Sequence, residues 1–416
     1  MMKSDVVERL LQRRRAQTAL AGSQSQQSDL QQECIDQLND AVRALPGQAD
    51  IPDAPGRIKQ AERELAEGRT EAAKSIYQEV AEGQADDKEA SAAYRRLGAL
   101  AFVDDTEQAL DAYSRAVERD PDDPDGWNML GMLRKRKGDL GKAGVAFEKV
   151  LALGQALDKR DVQAVALGNL GLIAMSRGNL DAAEERFNKG LAIDTELGRK
   201  QGMAGAYRNM GLIAKTRGDL DAAEDWHLKS LAIEEEFGRK QAMAHDYDNL
   251  GLIAMMSGDP DAAEAWYRKS LAAYEEMGGK EGMAESYGNL ILIAMDRGDL
   301  DAAEEWHLKS LAIEEELGRK QGMARDCGSL GLIAMDRGDL DAAGQWFRKS
   351  LALHELSDRK DGMAKQYANL GSVAEQRGDL AEALELWTTA VALYREVDMP
   401  QKVELVRGWL DNLGKA

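Results

Sequence analysis

Side chains that commonly carry catalysis or bind metals are few in this chain, and their spacing suits neither role. The 416 residues include four histidines and two cysteines. The histidines are His227, His245, His307 and His354. None of them has a Cys, Asp or Glu partner at the spacing typical of a metal site. Cys34 and Cys327 are far apart in the sequence, which indicates no metal-binding pair and no disulfide framework.

The glycines and acidic residues give no stronger indication of catalysis. The many glycines stand singly near predicted helix ends rather than in a phosphate-binding loop. Acidic pairs recur at helix-cap and exposed-face positions of a repeated unit, where solvated charge is expected. The sequence therefore predicts no catalytic residue, no metal site, no cofactor and no enzymatic activity.

Asparagine, by contrast, recurs at a spacing that suits peptide binding. It occupies one position of a 40-residue unit at Asn169, Asn209, Asn249, Asn289 and Asn369, and Ser329 interrupts the series. Inside a helix Asn is about 0.5 kcal/mol less favourable than Ala, so it is a poor filler. Its amide donates and accepts hydrogen bonds at once, as the backbone of an extended peptide requires. The alternatives are inheritance from recent duplication and hydrogen bonding between adjacent repeats.

These asparagines belong to a unit that is repeated along the chain. Residues Ala204–Met243 and Ala284–Met323 are identical at 30 of 40 positions. The segment RGDLDAAE begins at Arg217 and Arg297, and its first seven residues recur at Arg337. Self-similarity at a fixed period of this length is typical of a solenoid, in which each unit buries its apolar face against its neighbours. Such an architecture favours binding over catalysis. We number the unit so that the asparagines stand at position 6.

Each unit has the sequence pattern of a helical hairpin. Gly211 and Ala214 lie on the apolar stripe of a first helix, and Gly211 allows a second helix to approach closely. Gly218 fits the left-handed residue that ends the first helix, and Asp219 stands where the N-cap of the second helix belongs. Pro260 follows the equivalent aspartate of a sister unit, as a first helical residue can. The residues beyond the 34-residue form are expected to lengthen the second helix and its loop.

The shorter repeats resemble the tetratricopeptide repeat. In the third repeat the large residue Trp127 is followed by Leu130 and Gly131, and then by Ala143 and Phe147. The 40-residue form, with its LGRKQGMA junction, looks like the repeats of the LGN/Pins scaffold family and of related bacterial arrays. The resemblance implies an all-α, right-handed superhelical solenoid of about nine repeats, with a concave groove that binds peptides or helices. Alanine replaces the family's aromatic residue at position 11, which implies a tighter hairpin or a different groove curvature.

The repeat boundaries predict four segments. Residues 1–50 are expected to form a helical arm or cap with a Gln/Ser-rich linker. Three repeats of about 34 residues occupy 54–157, and six repeats of 40 residues occupy 164–403. Residues 401–416 are expected to form a C-terminal capping helix. The arm either caps the first repeat or serves self-association through residues 1–45.

First-helix positions 2, 5, 6, 9, 12 and 13 are predicted to line the groove. Positions 9 and 12 supply an apolar floor at Leu172, Leu212, Leu252, Leu292 and Leu332 and at Met255, Met295 and Met335. Positions 2 and 5 vary most and could supply specificity at Arg208, Asp248, His245 and Arg325. Methionine adapts to irregular apolar partners, which favours an apolar peptide side chain or a helix as the ligand. The alternatives are burial of the floor between neighbouring first helices and drift of the variable positions on a solvated face.

Two further series are predicted to be structural. Trp226, Trp266, Trp306 and Trp346 on the second helices are expected to pack between repeats. His227 and His307, at position 24, are expected to lie in the core or at its edge rather than to bind a ligand.

The overall charge restricts the partners. A net charge of −20 repels phosphate backbones, so nucleic acid is not an expected partner. No apolar run approaches the roughly 20 residues of a membrane helix, and the N-terminus lacks the apolar stretch of a signal peptide. We therefore expect a cytoplasmic, non-catalytic scaffold or adaptor that binds a protein or peptide in its groove. The alternatives are a self-assembling architectural protein and a ligand-responsive sensor module.

Overall fold

The computed structural model describes residues 56–83, 85–102 and 105–413, and every regular element in these ranges is a helix. The helices are α1 (Gly56–Ala66), α2 (Thr70–Glu82), α3 (Asp87–Ala101), α4 (Thr106–Arg119), α5 (Pro124–Arg136), α6 (Leu140–Ala156), α7 (Arg160–Ser176), α8 (Leu180–Glu196), α9 (Lys200–Arg217), α10 (Leu220–Phe237), α11 (Lys240–Ser257), α12 (Pro260–Met277), α13 (Lys280–Arg297), α14 (Leu300–Glu316), α15 (Lys320–Asp336), α16 (Leu340–Glu355), α17 (Lys360–Arg377), α18 (Leu380–Glu396) and α19 (Pro400–Leu413). The predicted arm of residues 1–50, with its role in self-association, lies outside the described residues.

Consecutive helices pack as hairpins, from α1/α2 to α17/α18, and α19 packs on α18 through the buried Val403 and Val406. The chain divides within α9 into two compact units, which we call the first unit (Met1–Ala206) and the second unit (Tyr207–Ala416). The described residues thus form an all-α repeat solenoid, and the predicted fold class is confirmed.

The turn inside each hairpin follows from a repeated Gly-Asp pair. Gly218 has a φ of 82°, in the left-handed region that glycine adopts without steric cost. Asp219 accepts a hydrogen bond of 3.1 Å from the backbone N–H of Ala222, which stabilises the start of α10 by about 1 kcal/mol. In the next hairpin Pro260 is the first residue of α12, directly after the N-cap Asp259. These predicted caps are confirmed.

Glycine at position 8 lets the two helices of a hairpin approach closely. A Cβ built on Gly211 would lie 2.7 Å from the ring of His227, and one built on Gly251 would lie 2.7 Å from the ring of Tyr267. Such distances are too short for real side chains, so a larger residue would force the helices apart. The seventh hairpin has the buried Ile291 at this position. Consequently α13 cannot lie against α14 as the first helices of the other hairpins lie against their partners.

The longer repeat lengthens both helices of the hairpin. In the second hairpin α3 and α4 have 15 and 14 residues. In the sixth hairpin α11 and α12 have 18 residues each. The predicted lengthening of the second helix is confirmed, and the first helix is longer as well, which the sequence did not predict. Lengthening both helices keeps them matched, so the apolar faces of the hairpin remain covered along their full length.

Several acidic residues at the start of the second helices pair with the following hairpin. Arg297, at the end of α13, forms ion pairs with Asp261 and Glu264 of α12. Arg337 and Arg377 make equivalent contacts one and two repeats later. The aspartates Asp261, Asp301 and Asp341 remain exposed, as expected of solvated charge, but each also pairs with an arginine. Because the pairs are at the surface, each contributes little to stability.

Candidate functional site

The first helices carry the predicted apolar floor. Its leucines, Leu172 in the first unit and Leu212, Leu252, Leu292 and Leu332 in the second, are half-buried. Met255 and Met335 are also half-buried because they pack against clusters that extend from their own hairpins into the following ones. Met295 on α13 is 43% exposed, so it offers the most free surface of the three predicted floor methionines.

Two of the position-6 asparagines make contacts between neighbouring first helices. In the first unit the Nδ2 of Asn169 donates to the Oδ1 of Asn128 at 3.1 Å. In the second unit the Oδ1 of Asn249 accepts a hydrogen bond of 2.7 Å from the Nζ of Lys215. Its Nδ2 donates to the backbone carbonyl of His245 at 2.9 Å. At these two places hydrogen bonding between adjacent repeats accounts for the asparagine.

The remaining asparagines differ in their availability. Asn369 donates to the Oε1 of Gln366 at 3.2 Å, and Asn209 also interacts within the chain. The side chain of Asn289 makes no hydrogen bond to any other residue that the structure describes, and it is half-buried. Among these three asparagines, the amide of Asn289 is the one available to a ligand.

Beside Asn289, α13 carries a glycine that packing does not explain. A Cβ on Gly288 would meet nothing within 4 Å, as also holds for Gly168 in the first unit. A mid-helix glycine is about 1 kcal/mol less favourable than alanine. Gly288, Asn289 and the exposed Met295 therefore give α13 a more open face than those of α11 and α17.

The variable positions 2 and 5 are engaged in contacts rather than simply solvated. Arg208 donates from Nη2 to the Oε1 of Glu234 at 2.9 Å, and its Nε lies 3.4 Å from Asp246. The Nε of Arg325 lies 3.3 Å from the Oδ1 of Asp326. Both arginines thus take part in contacts that stabilise the packing of hairpins.

His245 and Asp248 meet at a tyrosine of the next helix. The hydroxyl of Tyr274 on α12 lies 3.4 Å from the Nδ1 of His245 and 3.4 Å from the Oδ2 of Asp248. The structure therefore brings these two predicted groove residues together, but next to a side chain of their own hairpin.

Asp246, at position 3, is the centre of a buried network that the sequence analysis missed. Its Oδ1 lies 3.0 Å from the Nδ1 of His227, and its Oδ2 accepts a hydrogen bond of 2.7 Å from the Oγ of Ser230. All three residues have 0% exposure. Since His227 and Ser230 belong to α10 and Asp246 belongs to α11, the network joins the fifth hairpin to the sixth.

The same arrangement recurs two repeats later. The Nδ1 of His307 lies 3.1 Å from the Oδ1 of Asp326, and the Oγ of Ser310 donates to its Oδ2 at 2.7 Å. We call the contact between a second helix and the following first helix a junction. At the intervening junction, between α12 and α13, Ser270 and Ser286 are 3.4 Å apart and position 3 has no carboxylate. The buried networks therefore alternate along the second unit.

These residue types occur in hydrolase triads, but their geometry excludes that chemistry. The carboxylate of Asp246 lies between the imidazole and the hydroxyl, whereas a triad needs the imidazole between the other two. The ring of His227 also faces the backbone of Gly211, and the network is sealed from solvent. The expectation that His227 and His307 are core residues is confirmed.

Burial shifts the pKa of the network's groups. Burial lowers the pKa of His227, although the hydrogen bond that its imidazole donates to Asp246 opposes this shift. Burial raises the pKa of Glu234 and of Glu314, against the effect of the arginines nearby. For Asp326, burial would raise the pKa, but hydrogen bonds from His307 and Ser310 and the charge of Arg325 bring it below its usual value.

Comparison of the repeats with one another would have revealed the histidine–aspartate pairing. Position 24 is Phe187, His227, Tyr267, His307 and Phe347 in successive repeats. Position 3 of the following repeat is Ala206, Asp246, Ser286, Asp326 and Gln366. In these five junctions, aspartate stands at position 3 only where the preceding repeat has histidine at position 24. A search for local metal-site spacing missed the pair because its members are 19 residues apart.

The tryptophans pack both within and between hairpins. Trp266 stacks on Tyr247 of its own hairpin, with ring centroids 5.8 Å apart, and the Nζ of Lys269 lies 4.2 Å from the Trp266 ring. Trp266 also packs against a cluster that contains Leu231 of the preceding hairpin. The predicted packing between repeats is thus accompanied by a stack inside the hairpin.

The sequence profile of the tetratricopeptide repeat matches residues 125–196, 202–276 and 326–396, which together exceed half of the chain. A second profile of the same repeat matches residues 90–133. No curated protein matches the chain significantly in sequence. Among the helices that the structure describes, none combines the length and the apolar character needed to cross a membrane.

Solved structures share the fold. One is a signal transduction ATPase with numerous domains from Pyrococcus horikoshii, which has a tetratricopeptide repeat sensor. It is 16% identical, with a TM-score of 0.61, over 86% of this chain and 56% of that protein. Our chain therefore spans little more than half of that protein. The apo form of RapI is 13% identical, with a TM-score of 0.54, over 82% of this chain and 97% of RapI. Identities this low show a common fold only.

The hairpins, their Gly-Asp turns and the close contact at position 8 agree with the profile matches. Proteins of this kind are generally non-catalytic and bind protein partners. The chain belongs to the tetratricopeptide repeat family.

Proposed function

We propose that the chain is a non-catalytic scaffold or adaptor whose second unit binds an extended segment of a partner protein on its first helices. The family supports this class of function, since tetratricopeptide repeat proteins bind protein partners. The observation that carries the proposal is the open face of α13, where a half-buried asparagine amide without a partner among the described residues adjoins an exposed methionine.

The residues of α13 fit the two needs of an extended peptide. The amide of Asn289 can accept from a peptide N–H and donate to a peptide carbonyl. Gly288 leaves room for the peptide backbone to approach the helix. Leu292 and Met295 then provide an apolar surface for one side chain of the peptide. The proposed ligand is therefore a segment with an apolar residue next to a backbone stretch that pairs with the amide.

The other asparagines of the second unit contribute less to this proposed site. Asn249 is engaged by Lys215, and Asn369 is engaged by Gln366. A ligand that used these amides would first have to break hydrogen bonds within the chain. We expect the affinity to depend on Asn289 more than on the series as a whole.

Asn289→Ala is expected to weaken peptide binding about tenfold, because one well-placed hydrogen-bonding group contributes about 1–1.5 kcal/mol. The probe is a peptide selected on the intact protein from a random peptide library displayed on phage. Its affinity is measured by fluorescence polarisation for the intact protein and for the variant. The helical circular dichroism signal should not change, since Asn289 has no partner among the described residues.

Asn249→Ala is the matched control. It removes the hydrogen bonds to Lys215 and His245, so it should lower thermal stability while changing peptide affinity less than Asn289→Ala does. The triple replacement of Asn209, Asn249 and Asn289 should bind no more tightly than the single Asn289 variant. Equal affinity of the intact protein and Asn289→Ala, or a library that yields no binding peptide, would contradict the proposal.

A further inference from the structure

The junctions between hairpins in the second unit contain different buried polar groups. At α14/α15 these groups are His307, Ser310 and Asp326, and at α16/α17 the same three positions hold Phe347, Ser350 and Gln366. In the second of these junctions Ser350 donates to the backbone carbonyl of Ala324 at 2.6 Å, and no carboxylate is needed. Neighbouring junctions therefore have different hydrogen-bonding requirements, although the repeats around them are nearly identical.

The junctions also differ in the side chain at position 31, and the next first helix provides space for it. Glycine lies opposite Tyr274, Glu314 and His354, at Gly282, Gly322 and Gly362. A Cβ at any of these three glycines would overlap the opposing side chain. Glu234 faces a repeat that has alanine there, Ala242. Because glycine accommodates three different side chains, this contact does not distinguish these junctions in shape, and the difference between them lies in the buried polar groups.

We propose that the buried groups at positions 24, 27 and 3 act as a docking code that prevents each first helix from docking one repeat out of place. Such misdocking is a risk during folding because the repeats are nearly identical. A slip by one repeat would place a serine or glutamine where a histidine and a serine share the two oxygens of a carboxylate, or an aspartate where no histidine donates. Each buried polar group left unpaired disfavours such docking roughly tenfold to a hundredfold.

A slip by two repeats would satisfy the same code. The junction of His227 and Ser230 with Asp246 has the residues of the junction of His307 and Ser310 with Asp326. The code therefore excludes misdocking by one repeat, which joins the nearest wrong partners. Buried polar groups that specify register in helical assemblies are the physical precedent.

The first experiment exchanges the position-3 residues of two junctions in the full chain, as Asp326→Gln with Gln366→Asp. Composition and net charge stay the same, and both sites have a cation at position 2, while position 5 is Gly328 in one and Ala368 in the other. We expect amide hydrogens of α15 and α17 to exchange at least about tenfold faster for two reasons. An aspartate is then buried beside Phe347, and the single carbonyl oxygen of glutamine replaces the two carboxylate oxygens that accept from His307 and Ser310.

The second variant adds His307→Phe and Phe347→His to the exchange, so that each aspartate again follows a histidine. We expect this quadruple variant to recover most of the protection that the exchange removes. A quadruple variant no better protected than the exchange variant would overturn the proposal, whether or not either of them folds. An exchange variant as well protected as the intact protein would overturn it as well.

Deletions of whole repeats give an independent test. Removing residues 284–323 places Tyr267 and Ser270 of α12 opposite Asp326 of α15. This is a mismatch, because the aspartate then meets no histidine. Removing residues 244–323 joins His227 and Ser230 to Asp326, which is a match. The code predicts that the shorter deletion has the lower thermal midpoint. Repeat arrays otherwise gain stability with every repeat that they retain, so the opposite order would overturn the proposal.

Discussion

Replacing Asp246 with alanine should destabilise the second unit by about 2–6 kcal/mol, because two buried donors lose their acceptor at about 1–3 kcal/mol each. The carboxylate accepts from His227 and Ser230, and Arg208 lies 3.4 Å away. His227 and Ser230 lie in a junction that water does not reach, whereas Arg208 is 27% exposed and keeps its ion pair with Glu234. Urea unfolding followed by circular dichroism measures the total loss. Hydrogen exchange of α10 and α11 shows whether the loss begins at this junction, since a repeat array need not unfold in one step.

The chain supplies its own apolar replacement for this network. At the junction of α8 and α9 the same two positions hold Phe187 and Ala206, which are both buried. His227→Phe alone should also destabilise the unit, because it leaves the buried carboxylate with fewer donors. His227→Phe combined with Asp246→Ala reproduces the Phe–Ala pairing and should recover most of the loss. Apolar replacement of a complete buried polar pair is often neutral or stabilising.

The double-mutant cycle decides whether the pair acts as a unit. We expect a coupling energy of at least about 2 kcal/mol between the two substitutions. Additive losses would mean that each residue contributes through its own packing and that the hydrogen bond between them is unimportant. Ser230→Ala is a useful control because it removes one donor without leaving a charge unpaired, so its cost should be nearer 1 kcal/mol.

The features predicted correctly from the sequence are those determined by neighbouring residues. Gly218 and Asp219 fix a turn through backbone conformation and a hydrogen bond three residues away. Gly211 was identified because the apolar stripe places it against the second helix. The turn and the close helix contact depend only on the residue type and on its place in the 40-residue repeat. They were easy to recognise because the same residues recur in each repeat.

The junction networks depend on which residues face each other across two hairpins. Hydropathy periodicity does not show which residues of α10 and α11 face each other, so the sequence analysis assigned no role to Asp246. Arg208 was assigned to groove specificity for the same reason, although the structure places it against Glu234. Comparing junctions, rather than whole repeats, supplies the missing information, because the histidine and the aspartate change together.

For the candidate site, the sequence identified the series of asparagines and the leucine–methionine floor but could not rank their members. The ranking depends on neighbours such as Lys215, which occupies the amide of Asn249. It also depends on Ile291, a single departure from the glycine at position 8 that changes how α13 packs. Only the packed structure distinguishes Asn289 from its counterparts.

Two glycine-to-alanine substitutions in first helices should have opposite signs. Gly331→Ala places a Cβ 2.5 Å from the fully buried ring of Phe347, so we expect it to destabilise the second unit by about 1–3 kcal/mol. Gly288→Ala places a Cβ where nothing lies within 4 Å, so we expect it to stabilise the unit by about 0.5–1 kcal/mol. Both substitutions replace glycine with alanine inside a helix, so the gain in helix propensity is the same. The difference between the two changes in unfolding free energy therefore reports the packing contribution. Urea unfolding of the two variants measures the difference.

The Gly288 variant also separates stability from binding. If a peptide backbone lies against α13 as proposed, the added methyl group intrudes on it, and affinity should fall although the protein is more stable. Lower stability of Gly288→Ala would mean that the face is already occupied by contacts within the chain. Higher stability with unchanged affinity would place the ligand elsewhere on the first helices. A glycine retained at a cost in helix stability, at the point where the amide of Asn289 is available, is accounted for by a ligand that needs the space.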